Sequence, residues 1–224
     1  GDVSLNTGSD LTVGGGAVLS SGTLRWLGNA VVDVDGSLDL TGTTADTTAA
    51  PSATLRVGGD WTDDGFFSVS DQGVVELDGA GPTTVNSAGQ SDVWFPGLSI
   101  SGGGTRTLAA EVRVNQSTSV LENTTLDLGG RRVSINGDWS SWESGATVID
   151  SSGGGKLEFQ GNLPTTIRTD TNTIPEVWLL DGSVLFQHTV VAGRVLSGGG
   201  GGFPVAITVQ GDNQLTVQGD FDKS

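Results

Sequence analysis

The sequence predicts an all-β solenoid, a right-handed parallel β-helix of about ten coils, with a tandem of β-sandwich repeats as the alternative. Three observations carry that expectation. A tripeptide returns at long, nearly constant intervals, short apolar-polar-apolar triplets fill the space between, and no stretch keeps a helical period over three turns.

The tripeptide is Gly59-Asp60-Trp61, then Gly137-Asp138-Trp139, then Gly219-Asp220-Phe221, at offsets of 137 − 59 = 78 and 219 − 137 = 82 residues. Each copy follows an alternating triplet: Leu55-Arg56-Val57, Val133-Ser134-Ile135 and Leu215-Thr216-Val217. Two further landmarks keep the same order. Val75-Glu76-Leu77 with Pro82-Thr83-Thr84-Val85 matches Leu157-Glu158-Phe159 with Pro164-Thr165-Thr166-Ile167, and Val93-Trp94-Phe95 matches Val177-Trp178-Leu179. The chain therefore reads as one continuous array over 1–224: a partial repeat 1–54, repeats 55–132 and 133–214, and the start of another at 215–224.

The triplets include Leu11-Thr12-Val13, Leu24-Arg25-Trp26, Leu38-Asp39-Leu40, Leu98-Ser99-Ile100 and Leu126-Asp127-Leu128. Alternation of this kind marks a strand with one buried and one wet face, and Gly, Asn, Asp or Ser follows nearly every triplet as a turn signal. A strand so short cannot close a core alone. Stacked on its predecessor one coil earlier, it adds to a continuous apolar column. With roughly 20–25 residues per coil and ladders about 4.8 Å apart, the rod is on the order of 50 Å long.

Composition narrows the setting. There are 37 Gly and no Cys or Met, so disulfides and thiol ligands contribute nothing. Lys+Arg 10 against Asp+Glu 26 leaves a formal charge of −16, which disfavours nucleic acid and anionic membrane surfaces and suits an extracellular location. No apolar run is long enough for membrane insertion. The ends look like cuts through a longer array.

Catalytic constellations are thin, and the expectation is that this is not an enzyme. The single His188 stands beside Phe186 and reads as structural; no nucleophile elbow, dinucleotide fingerprint or P-loop occurs. Asp60, Asp63, Asp64, Asp71 and Asp78 are the carboxylates that a polysaccharide-cleaving β-helix would use. Asp60, however, recurs as Asp138 and Asp220, and a residue repeated in every unit reads as one that caps the same bend each time. No cofactor is expected; the pairs Asp33/Asp35 and Asp63/Asp64 admit incidental calcium, without the nonapeptide of calcium-binding solenoids.

The six Trp divide into sets. Trp61 and Trp139, with Phe221, read as one ladder position, stacked on its counterpart or closing a corner of the core. Trp94 and Trp178 are the middle residues of apolar triplets and so point outward, under cover or against sugar rings. Val184-Leu185-Phe186 breaks alternation in the same way and reads as part of that face. Thr43-Thr44-Ala45-Asp46-Thr47-Thr48 reads as a solvated protruding loop.

The run Val133-Ser134-Ile135-Asn136-Gly137-Asp138-Trp139, preceded by Thr125-Leu126-Asp127-Leu128-Gly129-Gly130, resembles the degenerate repeats of large bacterial surface β-helices of the filamentous-haemagglutinin and autotransporter-passenger kind. The resemblance implies a stalk, adhesin or cell-surface fibre and brings no catalytic residues with it. The partners expected are further copies of the chain, head-to-tail or lateral, and surface glycans.

Overall fold

The computed structural model describes residues 3–5, 8–26, 28–46, 52–67, 72–141, 143–160, 165–169, 173–180, 182–188, 190–197, 206–219 and 221–223, the side chains of 3, 5, 26 and 221–223 excepted. Asp71 and Asp220 lie outside the described residues. Among the described residues there are 28 strands and no helix, and every strand pairing is parallel. The antiparallel hairpins that a sandwich requires are replaced by crossovers, so the chain is a β-solenoid.

Three faces follow one another around the coil. The first is a 10-stranded sheet running from Asp10–Val13 to Ala206–Val209, whose strands mark about nine successive turns. The second is a 7-stranded sheet running from Ala17–Val18 to Thr147–Ile149. The third comprises, among the described residues, the 3-stranded sheet Val3–Leu5, Gly22–Trp26, Thr43–Asp46 and an 8-stranded sheet from Asp92–Phe95 onward. Near the C-terminus the second and third faces fuse. Strands Thr173–Leu179 and Val190–Ser197 each bend midway, at Pro175-Glu176 and Gly193-Arg194, where the alternation of burial slips. Leu215–Val217 then pairs with the first half of Val190–Ser197, and Phe221–Lys223 with its second half.

Turn length varies widely on the first face. Consecutive inward partners are 186 − 167 = 19 residues apart at Ile167 and Phe186, but 167 − 139 = 28 apart at Trp139 and Ile167. The alternating triplets absorb that variation because only strand residues must stay in register; the corners loop outward. One apolar column results, in which Leu55, Val75, Val93, Ile135, Trp139 and Leu157 are wholly buried.

The landmark tripeptide does not keep its face, and this corrects the single ladder position expected for it. Trp61 sits on the second face between Leu38 and Val85, whereas Trp139 sits on the first between Thr118 and Ile167. Phe221 sits on the third beside Val195. From Trp61 to Trp139 the chain makes three full turns plus two faces, and the same advance separates Trp139 from Phe221. Each copy therefore retreats one corner around the rod, and Trp61 and Trp139 close different corners rather than stacking on one another.

What travels is a two-rung unit. Leu55-Arg56-Val57 lies beneath Val74–Leu77 and Trp61 beneath Val85; one corner back, Val133 lies beneath Leu157 and Trp139 beneath Ile167. The recurrent Asp within the unit joins its two rungs. Asp60 Oδ1 accepts from the Thr84 N–H (2.8 Å) and Oγ1–H (3.0 Å), and Asp138 Oδ1 accepts from the Thr166 N–H (2.7 Å). The glycine before it is required by close approach: a Cβ at Gly137 would lie 2.5 Å from Gln116 O, and one at Gly59 2.4 Å from Ser37 N.

Two other expectations are corrected. Thr43–Asp46 is a strand paired with Gly22–Trp26, not a loop, and Thr43 is buried, its hydroxyl donating to Leu19 O at 2.6 Å; Thr47 and Thr48 lie outside the described residues. Val184-Leu185-Phe186 belongs to the first face, where Leu185 is half-buried between Thr166 and Thr208, and so shares nothing with Trp94 or Trp178.

Candidate functional site

The outward surface of the third face gathers the side chains able to contact a ligand. Strands Asp92–Phe95, Glu111–Val114, Arg132–Ile135, Lys156–Phe159 and Thr173–Leu179 stack in register, and Val93, Val112, Val133, Leu157 and Val177 point inward along one row. Period-2 geometry then sets the intervening residues in a second row on the opposite side of the strands, Trp94, Arg113, Ser134, Glu158 and Trp178, of which Ser134 and Glu158 are buried. Both tryptophans singled out from the sequence thus share one row, four ladder steps apart. At about 4.8 Å per step this is roughly 19 Å.

This face is electrically unlike the rest of the chain. From Asp92 to Ser197 its strands hold four acids (Asp92, Glu111, Glu158, Glu176) and four bases (Arg113, Arg132, Lys156, Arg194), for a sum of zero. The whole formal charge of −16 therefore lies elsewhere. The charges are also paired at close range. Arg113 contacts Asp92, Arg132 reaches Glu111 at 2.6 Å and Glu158 at 3.6 Å, and Arg194 reaches Glu176 at 3.8 Å. Burial lowers the Arg132 pKa, but its bonds to Glu111 and the charges of Glu158 and Glu111 outweigh that and hold it above the ordinary arginine value.

The two tryptophans have different surroundings. Trp178 is enclosed: Lys156 Nζ lies 3.4 Å from its ring centroid, and its indole N–H donates to Glu176. Trp94 carries the Arg113 guanidinium 5.0 Å from its ring centroid, and its indole N–H has no partner among the described residues. The other two described indoles are both satisfied internally, Trp61 by Asp63 at 2.6 Å and Trp139 by Ser141 at 3.0 Å. Trp94 opens instead onto a cleft of about 270 Å³ lined by Arg113, Asn115, Ser134, Asn136 and Gln160. Asn115, Asn136 and Gln160 occupy successive rungs at the end of the strands, their N–H groups bonded to Phe95, Val114 and Ile135 carbonyls.

The carboxylates nominated for chemistry are held by the fold. Asp60 is tied to Thr84, and Asp64 accepts from the Gly42 N–H at 2.9 Å. Asp63 is fully buried, accepting from the Trp61 indole and from the Gly65 N–H at 2.9 Å. Burial pushes its pKa up, against the opposing pull of those bonds. The Asp78 pKa is likewise raised, by burial first and then by the charges of Glu76 and Asp33. His188 is exposed, at a bend with φ of 90°.

One buried cation escaped sequence reasoning. Arg106 points into the rod and donates to the carbonyls of Gly81 (2.9 Å) and Ser101 (3.1 Å), and also to Gly79, closing a glycine-rich corner from within. Its neighbour Leu108 carried the signal, because residues two apart share a face and Leu108 is buried.

Compared with protein-family models, curated proteins and solved structures, the chain matches none.

Proposed function

We propose that this chain is a structural and adhesive β-solenoid, acting outside the cell as part of a cell-surface stalk, adhesin or extracellular fibre. The observation that carries this reading is the undivided apolar column running through about nine turns, with the corner carboxylates spent on joining one rung to the next. A stack of this kind resists bending because every rung is bonded to both neighbours along its length. The acidic surface supports the reading as well: spread over a β-rich rod, it opposes lateral aggregation.

A second reading, a polysaccharide-binding β-helix, is favoured by the half-buried Trp94 and its polar cleft. The two are compatible in one rod, since an adhesin needs both reach and a contact surface. Polysaccharide cleavage is less well supported, because the candidate Asp63 is sealed in the core and Asp60 is bound to the next rung.

Location decides the reading most directly. Immunogold labelling of intact cells that express the protein, with protease treatment of the same cells, should find it outside the envelope and protease-accessible. Label confined to the cell interior would overturn the proposal.

A further inference from the structure

We infer that the cleft beside Trp94 is a binding site for a single ring of an uncharged, hydroxyl-rich saccharide, within a glycan chain laid along the third face. The inference rests on the adhesive reading above and supplies its contact chemistry.

The argument begins with polar groups that the fold leaves unused. Trp94 is the one described tryptophan whose indole N–H lacks a partner, and the exposed Asn136 side chain has none either. Both line the same cleft with Arg113 and Gln160. A carboxamide offers donor and acceptor together, which is what a hydroxyl needs, since each hydroxyl both gives and takes a hydrogen bond. An apolar ligand would strand these groups without water. The indole edge and ring add apolar area beside them, the usual partner for the C–H face of a pyranose.

Charge selects the class of saccharide. Arg113 is already neutralised by Asp92, and the face sums to zero, so the cleft has no excess cation with which to hold a carboxylate or sulfate. The remainder of the chain, at −16, repels a polyanion approaching the face. At about 270 Å³ the cleft lies just below the usual range for drug-sized ligands, which is consistent with one ring rather than a whole oligosaccharide.

Titration of ¹⁵N-labelled protein with mannotetraose, cellotetraose and galactotetraose, with tetragalacturonate as the anionic comparator, tests this. The Trp94 indole N–H resonance, assigned by its loss in Trp94→Phe, is expected to move with at least one neutral probe. Asn136→Ala should weaken that binding about tenfold, and Trp178→Phe, whose indole is committed to Glu176, should leave it within about twofold. Retention of the remaining amide spectrum shows that each variant is folded. The inference is overturned if no neutral probe at millimolar concentration moves the Trp94 signal, if tetragalacturonate alone does, or if binding follows Trp178 and ignores Trp94. Such a failure, with the protein still found outside the envelope, removes the saccharide site and leaves the structural rod.

Discussion

The corner at 59–61 and the corner at 137–139 are built from the same tripeptide, yet they stand on different edges of the rod and enclose different chemistry. In both, a glycine passes close over the rung beneath, an Asp reaches the next rung, and a Trp turns inward with its indole N–H bonded two residues on. At the first corner the acceptor is the buried carboxylate of Asp63; at the second it is the hydroxyl of Ser141. The first is also braced by rings, with Phe95 5.1 Å and Phe66 6.2 Å from Trp61. The comparison shows that the tripeptide specifies a bend and a cap but no particular edge, so one sequence unit can be reused at any corner.

Truncating the inward aromatics should have the largest effect. Trp61→Ala and Trp139→Ala are each expected to cost about 3–5 kcal/mol in urea unfolding, Trp61 the more because its ring contacts are lost as well. Trp94→Ala, on the outward row, should cost within about 1 kcal/mol. Equal losses at all three positions would contradict the assignment of inward and outward rows.

Adding a methyl group at the corner glycines comes next. Gly59→Ala and Gly137→Ala, whose new Cβ atoms would meet backbone at 2.4 and 2.5 Å, should each destabilise by about 1–3 kcal/mol. Gly81→Ala, with nothing within 4 Å, should be near neutral and serves as the control.

The acceptor difference makes the first corner sensitive to pH and leaves the second, with its hydroxyl acceptor, insensitive. Burial raises the folded-state pKa of Asp63, so its contribution to stability is fully present below the unfolded carboxyl value near 3.8 and is lost as pH rises through the raised folded value. Asp63→Ser should remove that loss, and Ser141→Asp should import it to the second corner, both read as urea midpoints between about pH 4 and about pH 8. Asp127 runs the other way. Burial alone would raise its pKa, but bonds from Ser151 and Gly129 outweigh this and lower it, so its contribution is present above the ordinary carboxyl value and lost as pH falls through the folded one.

The smallest effect is expected at the caps. Asp60→Ala and Asp138→Ala should each cost about 1 kcal/mol by equilibrium unfolding, since each frees one backbone N–H near solvent. A cost confined to one of the two would break the equivalence of the corners.

The solenoid was legible because its signals are local. Triplets such as Leu98-Ser99-Ile100 declare an inward and an outward side, and the glycines declare the bends. The face on which a triplet lands was not legible, because it depends on the summed lengths of every connection before it, and those between successive strands run from two residues to ten. That is why Trp61 and Trp139 read as one ladder position when they are a corner apart. The pairing of Asp60 with Thr84 was hidden for the same reason: both landmarks were visible, but nothing local shows that one turn separates them. At the candidate site, the outward direction of Trp94 and Trp178 followed from alternation. Their difference did not, since it rests on Glu176 and Lys156 closing around Trp178 alone.

The central claim, one stack of parallel rungs from end to end, is tested most directly by distances along the outward row of the first face, where Thr12, Ser99, Ser119 and Ser140 are linked through successive ladder pairs. The chain has no native Cys, so paired spin labels at Thr12→Cys with Ser99→Cys, Ser119→Cys or Ser140→Cys report single distances by pulsed electron resonance. Four, five and six rungs at about 4.8 Å each predict separations near 19, 24 and 29 Å between the labelled backbones, rising by one ladder step each time. Distances that fall, stay level or jump by tens of ångströms between neighbouring pairs would contradict it.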